Sequence, residues 1–122
     1  MSKVDYPQVA EDLRKAFPNI TWGTCIPYND QSGIGNVTAS LGRYRFSVYR
    51  VGPKVGPKGK RWVATYGLDA PLPLAESQVF STGPYLAVIG LLDLTRNFLT
   101  TELDFINLAL SCITPNEMEP VP

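Results

Sequence analysis

Asn36-Val37-Thr38-Ala39-Ser40-Leu41-Gly42-Arg43-Tyr44-Arg45-Phe46-Ser47-Val48-Tyr49-Arg50 alternates apolar and polar residues on both sides of one glycine, and the parity reverses across it. Val37, Ala39 and Leu41 share a face before Gly42, whereas Tyr44, Phe46 and Val48 share one after it. Strand side chains repeat every second residue, so a reversal of parity needs an inserted residue or a turn. Gly42 therefore marks a bulge or a tight hairpin within antiparallel strand material.

Downstream, Arg43–Val51 and Arg61–Tyr66 read as the two arms of a β-hairpin. Between them Gly52-Pro53-Lys54-Val55-Gly56-Pro57-Lys58-Gly59-Lys60 is a loop by composition, because Pro withholds N–H groups and Gly resists a fixed conformation. It is too long for a tight turn and is expected to protrude. Upstream, Ile20, Trp22, Thr24 and Ile26 alternate as a half-buried strand should, and Asp30–Asn36 is turn-rich.

Helices flank this sheet in sequence. Asp5 suits an N-cap, with Gln8 as capping-box partner, Pro7 in the first turn and Val4 and Val9 as a hydrophobic staple. Val9, Leu13 and Phe17 then form one apolar stripe, which Pro18-Asn19 ends. Asp69–Pro73 is irregular, and Ser81-Thr82-Gly83-Pro84 opens a second helix. Tyr85–Leu99 is apolar almost all round, as befits a central or intersubunit helix. Thr101 and Asp104 are spaced to cap a further helix, or the two are one helix with a kink. The expected fold is α+β: an N-terminal helix, an antiparallel meander of three to four strands with a protruding basic hairpin, and one or two C-terminal helices packed on one face. Residues 1–115 form the expected single domain and 116–122 a short acidic, Pro-rich tail.

At 122 residues and 44% hydrophobic, the chain can bury a core without metal or disulfide. It contains no histidine, which removes the commonest general base and metal ligand and rules out Ser-His or Cys-His nucleophiles. Its two cysteines, Cys25 and Cys112, are far apart and in no zinc-binding spacing; buried free thiols are expected. Glu102 and Asp104, two apart, point in different directions on a helix and make a poor catalytic pair. Asp93 reads as a solvent-edge charge or as the partner of an arginine such as Arg96. Gly33-Ile34-Gly35 is a turn; no Lys-Ser/Thr follows it as in a phosphate-binding loop. No cofactor and no catalytic residue is expected. The uncharged apolar stretch Ser77–Leu92 is too short for a bilayer and contains Gly83-Pro84, and no targeting segment is visible, so the expected location is cytoplasmic.

The distribution of charge carries the functional expectation. Net charge is zero, yet seven cations and no carboxylate lie between Arg43 and Arg61. From Asp69 onward there are seven carboxylates against one cation, Arg96. Such asymmetry produces a local positive field that attracts a polyanion or an acidic protein surface. The expected nucleic-acid-binding residues are Arg43, Arg45, Arg50, Lys54, Lys58, Lys60 and Arg61 for phosphates, with Tyr49 stacking on a base or sugar. The alternative is a protein-interaction module, such as a viral or mobile-element accessory protein that inhibits a host enzyme or defence complex, with the same loop docking an acidic groove. Self-association through the apolar helix Tyr85–Leu99 is a further option.

Overall fold

The computed structural model describes residues 4–25, 35–67, 69–73 and 77–112. Ile26, residues 30–34 of the turn-rich loop and the tail 116–122 lie outside that set. Helix α1 (Tyr6–Ala16) is followed by strands β1 (Thr21–Cys25), β2 (Asn36–Leu41), β3 (Tyr44–Arg50), β4 (Trp62–Tyr66) and β5 (Gln78–Ser81), then by helix α2 (Pro84–Ser111). The strands form one antiparallel sheet in sequential order, and both helices pack on the same face, an α+β fold with more strands than expected.

Gly42 resolves as a hairpin. Leu41 pairs with Tyr44 across a two-residue turn in which Gly42 has φ 59° and Arg43 a negative φ, the sign pattern of a II′ turn with glycine first. The register Ala39↔Phe46 and Val37↔Val48 then places both apolar sets on the face covered by the helices. Strand β5 is the element the sequence did not announce. It has only four residues and its Val79-Phe80 merges with the apolar run of α2, yet it pairs with β4 from Thr65↔Gln78 to Trp62↔Ser81.

Helix α1 starts as expected, with the Asp5 carboxylate accepting from the Gln8 amide at 3.0 Å. The Gln8 side chain donates forward to Asp12 instead of back to Asp5, so the capping box is half-formed. Tyr6, Ala10 and Leu13 are the buried positions, and Val9 and Phe17 pack at the edge of that stripe. Phe17 joins three elements. Its carbonyl accepts from Trp22 Nε1 at 3.1 Å, and its ring lies 6.1 Å from Trp22 and 5.4 Å from Tyr85 of α2.

Phe46 is central to the core, edge-on to Trp22 and Tyr66 at 5.9 Å from each. Ala87, Val88 and Leu91 close it from α2. The helix lies so close to β5 that a Cβ on Gly90 would stand 2.7 Å from Val79 Cγ1. One polar chain crosses this interior: Thr95 Oγ1 donates to the Leu91 carbonyl at 2.7 Å, and its oxygen lies 2.6 Å from the Tyr66 hydroxyl. Since the Thr95 proton goes to Leu91, Tyr66 is the donor of the second bond.

Helix α2 is one continuous element of 28 residues. Thr101 Oγ1 donates back to the Asn97 carbonyl at 3.0 Å, a bond inside a continuing helix that replaces the expected cap. No Gly or Pro interrupts residues 91–111, which explains the continuity. Asp93 is exposed and pairs with Arg96, uniting both expectations for it. Cys25 and Cys112 are free but exposed, not buried: Cys25 lies on the outer face of edge strand β1, and Cys112 follows the far end of α2.

Candidate polyanion interface

The pleat of β3 sorts the basic residues before any tertiary contact does. Arg45, Ser47 and Tyr49 point to the outer face of the sheet, away from both helices; Arg50 shares the parity of Phe46 and Val48 and lies on the helix side. Arg50 is half-buried, and its backbone amide donates to the Tyr6 hydroxyl at 3.2 Å. Arg45 and Arg50 are five residues apart, so roughly 16 Å of strand separates the two ends of the basic segment.

At one end, Arg43 occupies the β2–β3 turn. Its guanidinium lies 5.3 Å from the centre of the Tyr44 ring and donates to the Tyr44 hydroxyl at 3.4 Å. That hydrogen bond, then the charge interaction with Tyr44 and, more weakly, Asp69, raise its pKa above the ordinary guanidinium value, so it is a permanent cation. Arg43, Arg45, Gly67 and Asp69 line an open recess of about 410 Å³. The carboxylate of Asp69 therefore offsets part of the positive field there.

The other end is the Gly-Pro-Lys loop. Each repeat forms one turn: Val55 N–H donates to the Gly52 carbonyl with Pro53 second in the turn, and Lys60 N–H donates to the Pro57 carbonyl with Gly59 at φ 79°, both at 3.0 Å. Residues 52–60 are all exposed, but the loop is not free-standing. Gly56, at φ 74°, sits against Phe80 so closely that a Cβ would lie 2.6 Å from two ring atoms. Tyr49, Val63 and Phe80 form one cross-strand row on the outer face. Val63 in its middle is only 1% exposed, with Tyr49 and Phe80 on either side of it in the row and the loop seated on Phe80 through Gly56. Tyr49 is half-buried and offers only part of its ring for stacking.

Arg61 fastens the base of the loop. Its Nε donates to the Val51 carbonyl at 3.1 Å, and its own carbonyl accepts from the Val51 amide at 2.7 Å. Lys54, Lys58 and Lys60 face solvent on the two turns, and among the described residues no ion pair involves them or Arg45. Of the eight residues singled out in the sequence, the fold gathers Lys54, Lys58 and Lys60, with Arg61 beneath them. It places Arg43 and Arg45 at the opposite end of β3 and Arg50 on the other face.

Between the two ends the outer face is uncovered by helix and polar. Thr38, Ser40, Arg45 and Ser47 line a shallow recess of about 350 Å³ there. The hydroxyls were legible as the polar half of the β2 and β3 alternation but carried no charge to mark them. Among the described residues no group of His, Cys, Asp or Glu could hold a metal ion, and no helix is long and apolar enough to cross a membrane. Compared with known families, curated proteins and solved structures, the chain matches no family model, no protein and no structure.

Proposed function

We propose that this protein is a non-enzymatic binding module for a polyanion, with single-stranded nucleic acid as the class that fits best. The observation that carries this reading is the loop itself: three exposed lysines with no carboxylate partner among the described residues, held in fixed turns beside an open polar sheet face bearing Arg45. Strands β3 and β4 are interior strands of the sheet, so their hairpin is no free ribbon for a major groove. An open sheet face flanked by cations suits a single strand, whose phosphates track the charges while hydroxyls meet sugars and bases. The absence of histidine agrees with binding without chemistry.

Fluorescence anisotropy with labelled single-stranded oligonucleotides tests this. Four phosphate contacts, from Arg45, Lys54, Lys58 and Lys60, give a logarithmic salt slope of about −2.8 for a single strand, or roughly a 50-fold loss of affinity from 50 to 200 mM salt. Replacing the three lysines by glutamine leaves a slope of about −0.7. Absence of binding at 50 mM salt refutes the proposal. A second reading, docking of a protein surface that carries both carboxylates and cations, is favoured by Asp69 beside Arg43 and Arg45, because that carboxylate repels phosphate but suits a mixed-charge protein contact.

A further inference from the structure

Within Tyr85–Leu99, the segment the sequence pointed to for self-association, Ala87, Val88, Leu91 and Thr95 pack on the protein's own sheet, while Tyr85, Leu86, Ile89 and Leu99 stay exposed. The longer run of exposed apolar residues lies further on. Beyond Phe98 every described residue of α2 is exposed, and the helix continues past the domain for about 20 Å. Leu103 is 54% exposed, Ile106 57% and Leu110 50%. A three-turn helix with no packing is marginal in water, so this segment needs a cover to persist.

Its pattern says what the cover is. Leu99, Leu103, Ile106 and Leu110 are spaced 4, 3 and 4 apart, the a/d seam of a helix that pairs with another helix. Thr100, Asp104, Asn107 and Ser111 repeat the same spacing with polar residues along one flank of this seam, while Phe105 and Leu108 lie on the far side of the helix. We propose that a second copy of this chain covers the seam, with the two extensions antiparallel about a two-fold axis. The layers are then Leu99 with Leu110 and Leu103 with Ile106, each occurring twice, as a self-complementary interface requires.

Three observations favour this occupant and this direction. The extension carries Glu102 and Asp104 and no cation, which suits neither an anionic membrane surface nor a nucleic acid. In the antiparallel pair Glu102 flanks Ala109 of the other copy, so no like charges meet. Tyr85, fourteen residues before Leu99 and hence on the same side of the helix, is already stacked on Phe17. Helix α1 therefore flanks the seam side near the start of α2, and a parallel pair would bring the two α1 helices together; the antiparallel pair sets the domains at opposite ends. Seam and flanking side chains of two copies cover on the order of 1,000 Å², the lower bound of a specific interface.

Analytical ultracentrifugation of the full chain from about 5 to 200 µM tests the proposal. The expected result is a monomer–dimer equilibrium that Leu103→Glu with Ile106→Glu shifts to monomer, with at least a 100-fold weaker association and unchanged thermal unfolding of the domain. Leu108→Glu removes an equally exposed leucine from outside the seam and should leave the dimer intact. In a Cys25→Ser, Cys112→Ser background, Thr100→Cys with Asn107→Cys should form intermolecular disulfides only in the antiparallel arrangement. A monomeric mass at 200 µM, a dimer indifferent to the Leu103 and Ile106 changes, loss of the dimer on Leu108→Glu, or no crosslink each overturns it. These readouts are independent of nucleic-acid binding, so either proposal can fail alone.

Discussion

Three glycines of the Gly-Pro-Lys loop form a natural experiment on whether that loop is a seated element or a solvated tether. Gly52, Gly56 and Gly59 differ in two respects that can be separated. At Gly52 the φ is ordinary and a Cβ meets nothing within 4 Å; at Gly59 φ is 79° and the space is open; at Gly56 φ is 74° and a Cβ would lie 2.6 Å from Phe80 Cδ1 and Cε1. Alanine at Gly52 should be neutral or stabilise by up to about 1 kcal/mol, through the entropy of the unfolded chain. At Gly59 it should cost about 1–2 kcal/mol, the backbone term alone. At Gly56 the same backbone term applies, and in addition either the loop lifts or the Phe80 ring turns. Both uncover Val63, and losing its burial adds on the order of 1.5 kcal/mol. Gly56→Ala should therefore unfold about 6 °C below Gly59→Ala, at roughly 4 °C per kcal/mol for a chain of this size. Urea and thermal unfolding followed by the fluorescence of the buried Trp22 and half-buried Trp62 would measure the series. Equal losses at Gly56 and Gly59 would refute the seating of the loop on Phe80.

Other perturbations read other parts of the fold. Gly90→Ala gains about 1 kcal/mol of helix propensity but drives a methyl into Val79, so a net loss of about 1–2 kcal/mol is expected in chemical denaturation. Asp5→Ala should cost about 1 kcal/mol, because the Gln8 amide loses its acceptor, and Asp5→Asn should restore most of it. Burial raises the pKa of Tyr66, with the Thr95 contact opposing and the neighbouring Tyr44 adding to the rise. Its folded-state pKa then exceeds the unfolded value of about 10, so its contribution is fully present below pH 10 and is lost as pH rises from there through the folded pKa. Comparing wild type with Tyr66→Phe above pH 10 should show the wild type losing up to about 1.4 kcal/mol more per pH unit, and parallel curves would count against a buried phenol.

What the sequence disclosed about the fold was local chemistry repeated over several residues. The parity reversal at Gly42, the Asp5 cap and the alternation of Val37 to Val48 each involve neighbours within a few positions, and each appears where it was read. What escaped depended on partners distant in sequence. Strand β5 is strand only because β4 supplies its hydrogen bonds, and Val79-Phe80 alone is indistinguishable from the apolar helix that follows. The exposed thiols follow the same logic: Cys25 is exposed because β1 is an edge whose outer face no helix covers, and no residue near Cys25 encodes that.

The basic segment shows why a candidate site is harder to read than a fold. A run of cations in sequence becomes a patch in space only if the backbone keeps them on one side, and a strand does the reverse. Arg45 and Arg50 are separated by an odd number of residues, so the pleat alone assigns them to opposite faces. The loop lysines escape this sorting because the two Gly-Pro-Lys turns hold them outside the ladder, and Gly56 on Phe80 fixes where those turns stand. The outer face thus acquires its cations from a loop anchored to β5 and from Arg45 on β3, two sources that no sequence window joins. If the loop is seated as the glycine series tests, the lysines are a presented set with a fixed relation to Arg45. Their contributions to the salt slope should then fall with Gly56→Ala as well as with direct replacement of the lysines, because the charge remains but its alignment with the sheet face is lost.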